Sequence, residues 1–179
     1  MTDRHPISRY LNRQTLIAGD VNAGKTTLTA RIVAQLTEAG YGTQLAILDL
    51  APSQIQGVGG KLSGSVDGSI LYLTTEIAAP RLMGRDLAHT VELARQNARK
   101  IEQLFRQLAR QPRPVLVVND ATLYLQQGSL SRLNDILTTS PTRIINAYYG
   151  ASFAVSELSR RERALTEAII ATSDQVIML

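Results

Sequence analysis

Short apolar runs alternate with helix-length amphipathic segments along this 179-residue chain. The predicted strands are the runs 15–18, 44–50, 69–73, 115–118, 143–148 and 175–179. The predicted helices cover about residues 25–38, 86–110 and 155–172, and glycines or prolines follow the first two. Strands that alternate with helices predict a mostly parallel sheet with helices on both faces. We therefore expect a single α/β domain over residues 1–179, built as a three-layer sandwich.

The connection between the first strand and the first helix carries the most specific motif. Residues 19–26 read GDVNAGKT, which matches the P-loop (Walker A) pattern GxxxxGK[ST] without a mismatch. Its glycines permit backbone angles that turn successive N–H groups toward a phosphate, and the helix N-terminus adds partial positive charge. The motif predicts the fold of a P-loop NTPase that binds ATP or GTP together with Mg²⁺.

Each motif position has an expected contact with the nucleotide. Lys25 is expected to reach the β- and γ-phosphates, and the Thr26 hydroxyl to ligate Mg²⁺. Thr27 either brings its hydroxyl to the α-phosphate or serves only as a residue of the helix N-terminus. The loop positions predicted to surround the phosphates are Gly19, Asp20, Val21, Asn22, Ala23 and Gly24.

Two aspartates follow predicted strands and are candidates for the magnesium site. Asp49 ends the run 44–50, and Asp120 follows the run VLVVN. The carboxyl ends of parallel strands meet at the edge of the sheet where ligands bind. Either aspartate is therefore a candidate magnesium ligand, and either is alternatively a turn or helix-cap residue. The NKxD signature of guanine-specific GTPases is missing, since the corresponding stretch, 146–149, reads NAYY.

An arginine cluster near the start of the last predicted helix is a second candidate for catalysis. Arg160, Arg161 and Arg163 follow a connection rich in small residues. Arginines on a mobile helix could neutralise charge that develops during phosphoryl transfer. They are alternatively a solvated helix face in which Glu157 pairs with Arg161.

The predicted helix 86–110 has apolar residues at alternating spacings of four and three. This stripe is typical of packing on a sheet, and a partner-helix seam is the alternative. Its basic residues are explained by solvation, with an RNA-contacting strip as the minority interpretation. The glycine-rich segment 53–68, which holds Gln54 and Lys61, is either a mobile substrate or switch loop or a plain connection.

Composition excludes several classes of site. The chain has no Cys, which excludes disulfides, thiolate zinc sites and a catalytic thiol. No apolar run approaches the roughly 18 residues of a membrane span, so we expect no membrane association and a cytoplasmic location. The net charge of +4 permits an RNA or a protein partner without requiring one. A homo-oligomer is equally open.

Beyond the P-loop, the order of segments from about residue 14 to 179 resembles the polynucleotide 5′-hydroxyl kinase family of RNA processing. The family motif DxDxGQ corresponds to residues 49–54, DLAPSQ, where Ala51 replaces the second acid. The family stretch N/D-T-x-G-W corresponds to residues 119–123, NDATL, and the arginine-bearing lid to residues 160–163. The resemblance implies an ATP-dependent kinase in which Asp49 acts as base toward a 5′-hydroxyl group.

Three functions follow from these features. The leading one is Mg²⁺-dependent phosphoryl transfer from a nucleoside triphosphate to a hydroxyl acceptor, with Lys25, Asp49, Arg160 and Arg163 as catalytic residues. The second is a nucleotide-dependent switch or assembly NTPase that acts through a protein partner. The third is a domain that keeps nucleotide only as a structural ligand.

Overall fold

The fold is that of a computed structural model, which describes residues 7–54, 57, 60–62 and 66–179. The predicted loop 53–68 is therefore described only in part, and its Gly59 and Gly64 lie outside the described residues.

Six parallel strands form one sheet within the described part of the chain. The strands are β1 (Gln14–Gly19), β2 (Leu45–Asp49), β3 (Leu71–Thr74), β4 (Val115–Asn119), β5 (Thr142–Tyr148) and β6 (Gln175–Met178). The α-helices are α1 (Lys25–Glu38), α2 (Pro80–Met83), α3 (Leu87–Arg110), α4 (Thr122–Leu125), α5 (Leu130–Leu137) and α6 (Glu157–Thr172). Short 3₁₀ helices span Ile7–Arg9 and Gly42–Gln44. The predicted α/β class is confirmed.

The order of strands across the sheet is β3-β2-β4-β5-β1-β6. Strand β5 therefore lies between β1, which leads into the P-loop motif, and β4, which ends before Asp120. Strand β2, which ends in Asp49, lies three strands from β1. At the usual spacing between strands this is a separation of about 14 Å.

Helices cover both faces of the sheet. Side chains alternate between the two faces along each strand, and apolar side chains on both faces pack against helices. Leu16 and Ala18 of β1 belong to a core cluster that includes residues of α3, α4, α5 and α6. Ile17 points the other way, into a cluster with Ile32 and Leu36 of α1. Each cluster lies between the sheet and the helices on one of its faces, which makes the fold a three-layer sandwich.

The apolar stripe of α3 is part of the core. Its side chains at Ile101, Phe105 and Leu108 are completely buried against the sheet, as the core-packing interpretation predicts. At the first turn, by contrast, Leu87 is 61% exposed. The helix begins after Asp86, whose side chain accepts a hydrogen bond from the His89 N–H at 2.8 Å.

Helices α2, α4 and α5 are absent from the sequence prediction. α2 and α4 have four residues each, too few to show a helical period. α5 does carry a recognisable pattern, with Ser129 as N-cap and buried Leu133, Ile136 and Leu137 on one face. Among the described residues, no helix combines the length and the apolar character that a membrane crossing requires.

Candidate nucleotide-binding site

The P-loop connects β1 to α1 and contains two left-handed residues. Gly24, the N-cap of α1, has φ 95°, and Asn22 has φ 58°. Glycine and asparagine adopt such angles more readily than other residues. The helical bond from the Leu28 N–H to Gly24 O is 2.9 Å long. The amide groups of residues 25–27 therefore precede the hydrogen-bond ladder of α1 and lie at its positive end.

The ammonium group of Lys25 lies over its own loop. Its Nζ donates to the backbone oxygen of Asp20 at 2.6 Å. Burial lowers the pKa of Lys25, while the charges of Asp120 and Asp20 act in the opposite direction. Lys25 is therefore a partly desolvated cation whose present acceptor is a neutral carbonyl group.

Asp20 links the P-loop to the connection between β5 and α6. Its carboxylate accepts hydrogen bonds from the N–H groups of Val21 (2.6 Å) and Ala151 (3.0 Å). Hydrogen bonds from Ser152, Ala151 and Val21 lower the pKa of Asp20 to about 2. A Cβ atom on Gly150 would lie 2.3 Å from Asp20 Cγ, so any other residue here would displace this carboxylate.

A cavity of about 320 Å³ lies against the P-loop. The P-loop residues on its wall are Val21, Asn22, Gly24, Lys25, Thr26 and Thr27. Gly19, Asp20 and Ala23 complete the loop but do not line the cavity. Other residues on the wall include Asp120 after β4, Tyr148 of β5, Arg81 of α2, Gln126 after α4, Glu162 of α6, and Ala51, Pro52 and Gln54 after β2.

Asp120 is the predicted acidic residue that the fold brings to this cavity. It has φ 58°, and its Oδ1 accepts a hydrogen bond from the Thr122 hydroxyl at 2.9 Å. Burial raises the pKa of Asp120 to about 6, although Thr122 and Lys25 favour its ionised form. A carboxyl group that titrates near neutral pH beside a P-loop lysine is typical of functional sites.

Asn146 fixes the backbone that carries Asp120. Its Oδ1 accepts a hydrogen bond from the Asp120 N–H at 2.7 Å. Its Nδ2 donates to Thr29 Oγ1 of α1 at 2.9 Å and to Asn119 Oδ1 at 2.7 Å. The Thr29 hydroxyl in turn donates to the Lys25 backbone oxygen at 2.8 Å. This buried amide thus joins α1, β4 and β5 beneath the cavity.

Asp49 occupies a different environment, away from the cavity wall. Its side chain is completely buried, and both carboxylate oxygens are occupied. Oδ1 accepts from Asn119 Nδ2 at 2.8 Å, and Oδ2 accepts from the Leu62 N–H and the Tyr72 hydroxyl at 2.6 Å each. Its contacts are those of a structural carboxylate that ties β2 to β3, β4 and the segment 60–62.

The predicted arginines of α6 also lie outside the P-loop cavity. Arg160 and Arg163 line a neighbouring cavity of about 290 Å³ instead. Arg163 pairs with Glu167, with Nε and Oε1 3.2 Å apart, and its guanidinium lies 4.3 Å from the centre of the Tyr149 ring. Arg161 donates to Gly128 O at 2.7 Å.

Arg81 and Glu162 line the cavity but are not predicted from the sequence. Their side chains form an ion pair, with Nη2 and Oε1 2.5 Å apart, and are only 15% and 2% exposed. Glu162 also accepts from Gln126 Nε2 at 3.0 Å, and burial raises the pKa of Glu162 against the opposing charge of Arg81. Glu162 lies inside the 160–163 cluster, where only its burial distinguishes it from a surface helix residue.

The cavity residues fit a magnesium ion that arrives with a nucleotide. Within the described residues, no group of three acidic or histidine side chains could hold a metal alone. Mg²⁺, however, usually takes one or two protein oxygens, with phosphates and water as its other ligands. Thr26 and Asp120 both line the cavity and carry such oxygens. A cation would also stabilise the ionised form of Asp120, which burial disfavours.

No family model and no curated protein matches this chain. The functional assignment therefore depends on the residues of the cavity.

Proposed function

We propose that this protein binds a nucleoside triphosphate, ATP or GTP, with Mg²⁺ and transfers its γ-phosphoryl group to a hydroxyl acceptor. The observation that carries the proposal is the shared cavity of the P-loop and Asp120, in which a partly desolvated Lys25 lies beside a carboxyl group of raised pKa. Phosphoryl transfer depends mainly on positioning and on electrostatic stabilisation, which this arrangement supplies.

Each group has a defined task in the proposed reaction. The amides of the P-loop bind phosphate oxygens, and Lys25 exchanges the Asp20 carbonyl for the more strongly accepting phosphates. The Thr26 hydroxyl and the Asp120 carboxylate would hold Mg²⁺, which would neutralise charge on the phosphates. Asn146 keeps Asp120 in place.

The transfer step makes one bond and breaks one. The acceptor oxygen bonds to the γ-phosphorus while the bond from that phosphorus to the β–γ bridging oxygen breaks. The bridging oxygen keeps the electron pair and leaves on the nucleoside diphosphate, and the proton of the acceptor hydroxyl passes to water. The resemblance to polynucleotide kinases makes a 5′-hydroxyl end of RNA the first acceptor to test.

A nucleotide-dependent switch that acts through a protein partner is the second candidate. It is favoured by the hydrogen-bonded path Thr29–Asn146–Asn119–Asp49, which runs from the P-loop helix to the backbone of Leu62. Such a path gives bound nucleotide a physical connection to the glycine-rich loop. In this case the γ-phosphoryl acceptor would be water.

The deciding experiment follows a γ-labelled triphosphate with Mg²⁺ and a 5′-hydroxyl oligonucleotide or small hydroxyl compounds. The wild type is compared with Lys25→Ala and with Arg31→Ala, an exposed cation on the same helix. We expect label on an acceptor, a loss of at least about 100-fold in Lys25→Ala, and no change in Arg31→Ala.

Each other result identifies a different function. Release of inorganic phosphate without a labelled acceptor supports the switch. Tight binding without turnover supports a structural nucleotide. If calorimetry detects no binding of ATP or GTP to the wild type, the proposal fails.

A further inference from the structure

We propose that Arg81, carried by α2, contacts the transferring γ-phosphoryl group and that Glu162, Phe153 and Tyr148 position it. This inference rests on the proposed function and assigns the charge-stabilising role to a residue outside the arginine cluster of α6.

The segment that carries Arg81 is held firmly. Just before α2, the Ala78 N–H donates to Asn97 Oδ1 at 2.9 Å, and Asn97 Nδ2 donates to Ala78 O at 3.0 Å. Asn97 belongs to α3 and is 1% exposed, so this pair of bonds anchors α2 to a rigid helix. A charged group on an anchored element is preorganised for a ligand.

Three side chains hold the Arg81 guanidinium at the cavity. It pairs with Glu162, lies 4.4 Å from the centre of the Phe153 ring and lies 5.4 Å from that of Tyr148. Within the described part of the chain, the guanidinium donates its hydrogen bond to Glu162. A guanidinium carries five N–H donors, so several remain for a ligand.

The position of Arg81 relates it directly to the reacting group. The ring of Tyr148 lies 6.0 Å from Lys25 Nζ as well, so both cations border the same ring. The γ-phosphoryl group that Lys25 would hold therefore lies in the field of Arg81. As charge accumulates on its non-bridging oxygens, the free N–H groups of Arg81 can donate to them.

Stability alone does not explain the buried pair of Arg81 and Glu162, because buried ion pairs add little net stability. Removing two charges from water costs about as much as their attraction returns. The alternative is that Arg81 and Glu162 merely clamp α2 to α6. A clamp depends equally on both partners, whereas a phosphoryl contact depends far more on Arg81, which makes it, than on Glu162, which only positions Arg81.

The test measures the affinity for Mg²⁺ and nucleoside diphosphate, with and without aluminium fluoride, which imitates the transferring phosphoryl group. No acceptor needs to be known. We compare the wild type with Arg81→Ala, Arg81→Lys and Glu162→Gln, and with Arg99→Ala on the exposed side of α3 as control. Thermal unfolding of every variant is recorded in parallel.

We expect aluminium fluoride to increase the affinity of the wild type and of Arg99→Ala for nucleoside diphosphate. Arg81→Ala should lose about 100-fold or more of that gain while its affinity for diphosphate alone changes less than about threefold. Arg81→Lys should recover only part of the gain, since an ammonium group lacks the planar fork of donors. Glu162→Gln should keep most of it.

Two results would overturn the inference. One is an equal loss of the gain in Arg81→Ala and Glu162→Gln, in step with their thermal stability, which indicates a clamp. The other is a wild-type protein that binds diphosphate with an affinity that aluminium fluoride does not increase. Nucleotide binding would then stand without this role for Arg81. A wild type that binds no diphosphate would instead refute the proposed function itself.

Discussion

At the scale of single residues, Asp49 and Asp120 show how hydrogen-bond partners decide what a carboxylate at a strand end can do. Both lie at the carboxyl ends of buried strands, and the sequence leaves open which of them serves the metal. Asp49 is surrounded by donors from Asn119, Leu62 and Tyr72. Among the described residues, Asp120 has one side-chain donor, Thr122, and it lines the cavity together with Lys25. A carboxylate with few donors remains available to a cation.

The pH dependence of stability follows from the raised pKa of Asp120. Its pKa lies near 6 in the fold, above the ordinary value of 3.8, so the folded state favours the protonated form. Its contribution to stability is therefore greatest below about pH 4 and is lost as pH rises through 6. We expect Asp120→Asn to be more stable than wild type at pH 7.5, by about 1 to 3 kcal/mol.

Denaturant unfolding at several pH values checks this prediction. The advantage of Asp120→Asn should shrink toward zero near pH 4, because both side chains are then neutral. Asparagine can also accept from Thr122 and tolerates the left-handed backbone at this position. The affinity for Mg²⁺ with nucleotide should fall about tenfold or more. A variant that is less stable than wild type at pH 7.5 would contradict this assignment.

At the scale of elements, packing of α3 against the sheet holds one face of the sandwich. Phe105 is fully buried and meets Tyr124 edge to face, with ring centres 4.9 Å apart. We expect Phe105→Ala to lower the free energy of unfolding by about 3 to 5 kcal/mol, since it leaves a large cavity. Arg106→Ala, the exposed neighbour, should change it by less than about 0.5 kcal/mol.

Thermal unfolding and size-exclusion chromatography together test this role of α3. A loss of stability without a change in oligomeric state is the expected result. If Phe105→Ala unfolds like wild type but alters self-association, the stripe is a partner seam rather than core.

Local sequence was sufficient to predict most elements of the fold. The bounds of α1 follow from the P-loop before it and Gly40 after it, and those of α3 from Asp86 and Pro112. These signals act over a few residues. The P-loop residues were predictable for the same reason, because the motif combines phosphate-binding chemistry with a strand-turn-helix setting.

The rest of the site depends on contacts between distant parts of the chain. Arg81 and Glu162 are 81 residues apart, and Asn119 and Asp49 are 70 apart. Only the order of the strands decides that Asp120 comes to the cavity and that Asp49 lies farther along the sheet. Neither residue has a local pattern that reveals this order, so the sequence left open which of them serves the metal.

At the scale of the whole molecule, one buried polar path crosses the sheet beneath the cavity. It runs from Thr29 of α1 through Asn146, Asn119 and Asp49 to the Tyr72 hydroxyl of β3. Lys61 adds bonds to Ala51 O (2.9 Å), Thr74 Oγ1 (2.6 Å) and Thr75 O (3.1 Å). The path therefore holds together the carboxyl ends of four strands, the edge on which the P-loop cavity opens.

Replacing Asp49 by asparagine separates its structural role from the catalytic role that the sequence predicts. An amide group would direct N–H donors at one of the donors around Asp49, leaving buried groups without partners. We expect Asp49→Asn to lower the free energy of unfolding by about 3 kcal/mol, the magnitude of a lost hydrogen bond to a charged group. Tyr72→Phe, which removes one donor, should cost about half as much.

Nucleotide affinity decides between the two roles, measured well below the melting temperature of each variant. If Asp49 is a structural residue, Asp49→Asn should keep the affinity for Mg²⁺ with nucleotide within about threefold of wild type. Asp120→Asn should weaken that affinity. Asp49→Asn should thus lower stability and leave metal-dependent binding nearly unchanged. Asp120→Asn should instead weaken metal-dependent binding and raise stability at pH 7.5. If Asp49→Asn instead abolishes metal-dependent binding while keeping wild-type stability, then Asp49 is the metal residue. The hydrogen-bonded path across the sheet would then contain a metal ligand, instead of only supporting the residues of the site.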